Sequence, residues 1–143
     1  MDAVNVIGAL ADTARRAART LATATGEERT RALEVIAQSI EARSSEILAA
    51  NKEDMKNARA DQMHPQMQDR LLLTPERIQG IANGARQVAA LEDPLGRTLR
   101  ESTLENGLHL KQLSVPFGVV GMVYEARQNV TVDAAVILLK SGN

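Results

Sequence analysis

The chain has 143 residues, 44% of them hydrophobic, which is enough for one domain with a buried core. Its formal charge of −1, with one Phe, one Tyr and no Trp, excludes both the basic footprint and the stacking platforms that hold nucleic acids. The absence of cysteine excludes disulfides, thiolate metal sites and a cysteine nucleophile within this chain. No apolar run reaches the roughly 18 residues of a membrane span, and the order of charges at the N-terminus is wrong for a secretory leader, so a cytoplasmic protein with no membrane partner is expected.

Helical spacing of Ile7, Leu10, Ala14, Ala17, Ala18 and Leu21 predicts a first helix over about 4–23. Thr25-Gly26-Glu27-Glu28 reads as a capping box that opens a second helix. That helix is expected to run to about Arg59, with Leu33, Ile36, Ala37, Ile40, Ile47, Leu48 and Met55 on its apolar stripe and its charged residues on a solvated face. The polar stretch ADQMHPQMQDR breaks the pattern, and His64 and His109 have no ligand-type neighbours, so no metal site is expected. A third helix opens at Thr74 as cap with Pro75 in its first turn, buries Ile78, Ile81, Ala85 and Val88, and ends at Asp93-Pro94-Leu95-Gly96.

From Arg97 the period changes. Two strands, 97–104 and 108–115, flank Asn106-Gly107, a hairpin signal whose tightest turn needs φ > 0 at both residues. The second strand slips phase at Gln112-Leu113, which predicts a bulge. A ribbon of two strands is marginal in water, so it is expected to lie against another domain or subunit.

Val119, Val120, Met122 and Val123 then form a continuous apolar run, as in a strand covered on both faces. Val130 to Lys140 reads as a nearly apolar, buried helix, with Lys140-Ser141-Gly142-Asn143 closing it and Lys140 acting as a cation at the helix end. Strand, loop, helix is the first part of a parallel crossover unit, and ligands sit at the carboxyl ends of such strands. The polar loop Tyr124–Asn129 occupies that place. Asn129 or Thr131 suits a helix cap, and an Asn at that point also suits donation to an oxyanion. Gly118 and Gly121 lie within the apolar run and match no dinucleotide fingerprint. The sequon Asn129-Val130-Thr131 falls in an expected buried setting and carries no glycan there.

The stretch VPFGVVGMVYEARQNVTVDAAVILLKSGN, with ENGLHLKQLSVPFG, DRLLLTPERIQGIANGARQVAALEDPLG and ILAANKEDMKNARA before it, resembles the gamma-glutamyl phosphate reductase family of the aldehyde dehydrogenase superfamily. The resemblance covers essentially the whole chain and implies an α/β fold: the N-terminal part of an aldehyde-dehydrogenase-like subunit, with three helices, a β-hairpin ribbon and the first strand–helix of a Rossmann-like sheet. Its parts would be an N-terminal helical stretch (1–96), an oligomerisation ribbon (97–115) that makes a homo-oligomer, and an incomplete strand–loop–helix of the nucleotide-binding domain (116–143). The implied reaction is NADPH-dependent reduction of gamma-glutamyl phosphate to glutamate 5-semialdehyde and phosphate, through a cysteine thioester, in proline biosynthesis. On that likeness Asn129 is the oxyanion-type donor, and Glu125, Ala126 and Arg127 line the NADP(H) site. The family loop reads EARPN where this chain has Gln128, which removes a φ constraint. The nucleophile is missing from the chain, so a truncated, inactive part of the enzyme is expected. A non-catalytic helical module that pairs with a full-length subunit is the alternative.

Overall fold

The structure, a computed structural model, describes residues 3–124 and 127–143. Six helices and one antiparallel ribbon follow in the order α1 (Ala3–Leu21), α2 (Gly26–Ala42), α3 (Ser44–Ala60), α4 (Pro65–Leu71), α5 (Pro75–Ala90), β1 (Thr98–Thr103), β2 (His109–Leu113) and α6 (Gln128–Lys140).

The core forms where α2, α5 and α6 meet. Leu33 and Ala37 of α2, Ala82, Ala85 and Ala89 of α5, and Val136 of α6 are its buried members. Small residues on α5 let the helices approach closely, and Ile36, Ile40, Val88, Val132 and Leu139 pack around them. Helix α1 forms as its period predicts, yet Val4, Ile7 and Leu10 on its stripe are exposed.

Local chemistry sets the starts of α2 and α5. Thr25 Oγ1 accepts from the Glu28 N–H at 3.2 Å while the Thr25 N–H donates to Glu28 Oε2 at 2.7 Å, the reciprocal pair of a capping box. Thr74 Oγ1 accepts from the Arg77 N–H at 3.2 Å, and Pro75 follows in the first turn of α5.

Four expectations are corrected. The single helix to Arg59 is two, because Arg43 (φ −101°, ψ 17°) both ends α2 and precedes α3, at the Ser44-Ser45 pair where serines compete for backbone groups. The polar stretch after α3 is not simply a break: Pro65 starts α4, with His64 Nδ1 as cap acceptor for the Gln66 N–H. The solvated face of α2 is interrupted by Arg29, which is 4% exposed. Finally, residues 119–123 form no strand. No ladder joins them to another strand among the described residues, and Val119, Val120, Met122 and Val123 are exposed, as a run that lacks neighbours would be.

The hairpin turns where expected but with different geometry. Only Gly107 (φ 84°) is left-handed; Asn106 is not. The Gly107 N–H donates to the Leu104 carbonyl and the Leu104 N–H to the Leu108 carbonyl, each at 2.9 Å, so the loop has three residues and ends in a glycine bulge. The register pairs Arg100 with Gln112 and Thr98 with Leu113, so the bulge beside Gln112-Leu113 has its extra residue, Leu99, on β1.

Candidate active-site cleft

Helix α6 also starts earlier than the apolar period suggested. Arg127 is its N-cap and makes no side-chain capping bond, Gln128 is its first residue, and Asn129 lies inside the first turn. Neither Asn129 nor Thr131 caps the helix. Asn129 Nδ2 instead donates to Asp133 Oδ2 at 3.0 Å, one turn further on. Thr131 Oγ1 lies 2.8 Å from the Tyr124 hydroxyl, which ties the helix to the segment before the loop.

The far end of α6 fixes its axis. Lys140, the expected cation at the helix end, is buried. Its ammonium donates to Thr30 Oγ1 of α2 at 3.0 Å and to the Ala89 carbonyl of α5 at 2.8 Å. Its carbonyl accepts from Arg29 Nε at 3.2 Å. Two of the three ammonium N–H groups thus have protein acceptors, which offsets much of the cost of burying the cation. The Ser141-Gly142-Asn143 terminus behaves as expected: Gly142 takes φ 75°, and the Asn143 N–H reaches back to the Leu138 carbonyl at 2.9 Å.

The N-terminal end of α6 faces the α4–α5 junction across a cleft of about 500 Å³. Arg77 and Gly80 of α5, Asp69 of α4, and Asn129 and Asp133 of α6 line it, together with Arg127. The junction wall is stiff. Buried Asn51 donates to the Leu71 carbonyl at 2.8 Å and accepts from the Leu73 N–H at 2.7 Å. Arg77 donates from Nη1 to the Leu72 carbonyl at 2.7 Å and from Nη2 to Asp69 Oδ1 at 3.0 Å.

Of the residues the resemblance assigned to a site, Asn129 and Arg127 line this cleft, and Glu125 and Ala126 lie outside the described residues. Reasoning from the sequence missed Arg77 and Asp133. Arg77 stands two residues after a helix-opening Pro and reads as an ordinary cap-region residue. Asp133 had a signal, the one acidic residue of a largely apolar helix, four residues from Asn129.

Helices packed on a short α6 beneath a charged cleft, followed by a two-stranded ribbon, define a mixed α/β class. Two solved structures of gamma-glutamyl phosphate reductases are similar to it. That of Thermotoga maritima matches with a TM-score of 0.91 at 37% identity, over 93% of this chain and 32% of that one. That of Saccharomyces cerevisiae gives 0.87 at 32% identity, over 93% and 34%. Curated proteins of the same name are also similar. Those of Kineococcus radiotolerans and Anoxybacillus flavithermus are 52% and 51% identical over 130 and 129 residues, or 91% and 90% of this chain and 30% and 31% of theirs. That of Gluconobacter oxydans is 45% identical over 142 residues, 99% of this chain and 33% of its own. No family model matches the chain. The chain is a homologue of the gamma-glutamyl phosphate reductases and spans about a third of the length of the relatives it matches.

Proposed function

We propose that this chain supplies the Asn129 side of the active site of a gamma-glutamyl phosphate reductase, which reduces gamma-glutamyl phosphate with NADPH to glutamate 5-semialdehyde and phosphate in proline biosynthesis. The observation that carries this reading is the position of Asn129. It stands in the first turn of α6 at the mouth of a charged cleft, in a chain 45–52% identical to proteins of that name.

An Asn amide has two N–H groups, and Asp133 takes one of them. The other can donate to a carbonyl oxygen as it gains negative charge, with the amide already held by its first bond. Pre-set donors of this kind act without reorganisation cost during the reaction. Acyl transfer through a thioester needs a thiolate. None of these 143 residues is a cysteine, so in this reading the nucleophile comes from another part of the subunit.

For the cofactor, Arg127 is the assigned residue within the described chain. It offers a cation at the N-cap of a helix whose start lacks a side-chain cap, a setting that suits the phosphates of a pyridine dinucleotide. When bound, NADPH supplies the hydride, and the part of this chain is to bind and orient. The ribbon exposes Leu99, Leu108, Leu110 and Leu113, which supports a subunit contact there in a homo-oligomer.

The test joins this chain to the remaining two thirds of the Anoxybacillus flavithermus reductase. NADP⁺ reduction by glutamate 5-semialdehyde plus phosphate is then measured. The joined protein should turn over and the chain by itself should not. Turnover by the chain alone, or none in a folded joined protein, overturns the reading.

A further inference from the structure

The cleft carries more charge than an oxyanion donor requires. At about 500 Å³ it lies within the roughly 300–1,000 Å³ typical of small-ligand sites. Two of its side chains are held ready and incompletely used. Arg77 spends three of its five N–H groups, on the Asp69 and Leu72 carbonyls and on Asp69 Oδ1. Nε and one hydrogen of Nη2 remain, on a side chain that is 43% exposed and whose guanidinium is already fixed in place. A rigid pair of N–H groups is the natural partner of a carboxylate.

Across the cleft, Asp133 accepts from Asn129 through Oδ2, while its Oδ1 faces Gly84 of α5, where a Cβ would come within 4.0 Å. No cationic side chain pairs with Asp133 among the described residues. A carboxylate and a guanidinium on facing walls complement a zwitterion.

We propose that this cleft reads the α-amino-acid end of a γ-glutamyl substrate, with Asp133 taking the ammonium and Arg77 the carboxylate. The assignment rests on the reductase reading above for the identity of the substrate. The two groups are adjacent, with Asn129 Nδ2 lying 3.0 Å from Asp133 Oδ2. An ammonium on the free Oδ1 therefore leaves the δ-carbonyl of a glutamyl group, four bonds from the α-nitrogen, within reach of the second Asn129 N–H.

The joined protein is assayed with glutamate 5-semialdehyde and with 5-oxopentanoate, which lacks only the amino group. Asp133→Asn should raise KM for the amino substrate by ~10–100-fold more than KM for 5-oxopentanoate, the worth of one charged hydrogen bond, with kcat for both lowered as Asn129 loses its anchor. Arg77→Met should raise both, and Arg77→Lys should recover part of the loss. A purely structural role would lower kcat for both substrates alike and leave their KM ratio as it was, which overturns the proposal. If the joined protein does not turn over, calorimetric binding of L-glutamate against glutarate decides. A preference for L-glutamate that Asp133→Asn abolishes supports the zwitterion site while the reductase reading fails. Equal binding of the two acids overturns the site.

Discussion

Arg29 Nη2 lies 2.7 Å from both carboxylate oxygens of Asp93, and through Nε the same guanidinium holds the last carbonyl of α6. One buried cation thus joins α2, the segment after α5 and the end of α6. Gly26 makes room for it, since a Cβ there would overlap Asp93 Oδ2.

Removing the acid leaves that buried guanidinium without its counter-charge. Asp93→Asn should cost about 2–3 kcal/mol of stability, below the 3–5 of a fully buried pair because Asp93 is 38% exposed. Burial pushes the Asp93 carboxyl up, but the Leu95 N–H and Arg29 outweigh it and hold it below the ordinary value. A folded pKa below the unfolded one gives stability that is present above the unfolded value, near 3.9, and lost as pH falls through the folded value. Thermal melts in acid should therefore show a loss in the parent that Asp93→Asn lacks. Parallel profiles would contradict this.

A second tie joins α2 to α5. Glu41 accepts from Arg86 at 2.6 and 2.7 Å and from Gln79 at 2.6 Å, and these bonds, Arg86 first, pull its carboxyl down to about 2. By the same sign, its contribution is complete above the ordinary Glu range and fades as pH falls through about 2. Carboxyl NMR should find that midpoint, and Arg86→Met should return it toward about 4.3. An ordinary midpoint in the parent would show that the pair is open in solution.

The hairpin turn separates two adjacent residues. Gly107→Ala should destabilise the ribbon by about 1–2 kcal/mol, since φ 84° is costly for an L side chain. Asn106→Ala loses only the 3.1 Å bond from the Leu108 N–H to its Oδ1. Amide exchange at Leu104 should accelerate more for the first variant. The reverse order would restore the two-residue turn expected from the sequence.

Gln128→Pro should stabilise the chain by about 0.4–1 kcal/mol. Position 128 opens α6, where the first amide has no partner inside the helix, and Arg127 before it, at φ −85° and ψ 116°, already has the backbone that a following Pro demands. A lower melting temperature in the variant would show that the loop needs the glutamine.

What the sequence made legible follows from range. The capping box at Thr25, the Pro75 helix start and the Asn106-Gly107 turn are decided within four residues, and all three form where expected. Arg29 was unreadable because its partners, Asp93 and Lys140, stand 64 and 111 residues away. The apolar run 119–123 looked like a strand from composition, but strand formation depends on a neighbour, and none joins it among the described residues. In the cleft, Asn129 was singled out through its motif and lies in the lining. Asp133 and Arg77 meet it only when α5 and α6 pack.

The central claim is that Asn129 donates to the reacting oxygen. Its direct measurement is kcat for Asn129→Ala in the joined reductase. A donor in that role predicts a fall of ~10²–10³-fold with the KM for NADP⁺ little changed. A kcat within about twofold of the parent, in a variant that folds, would contradict it.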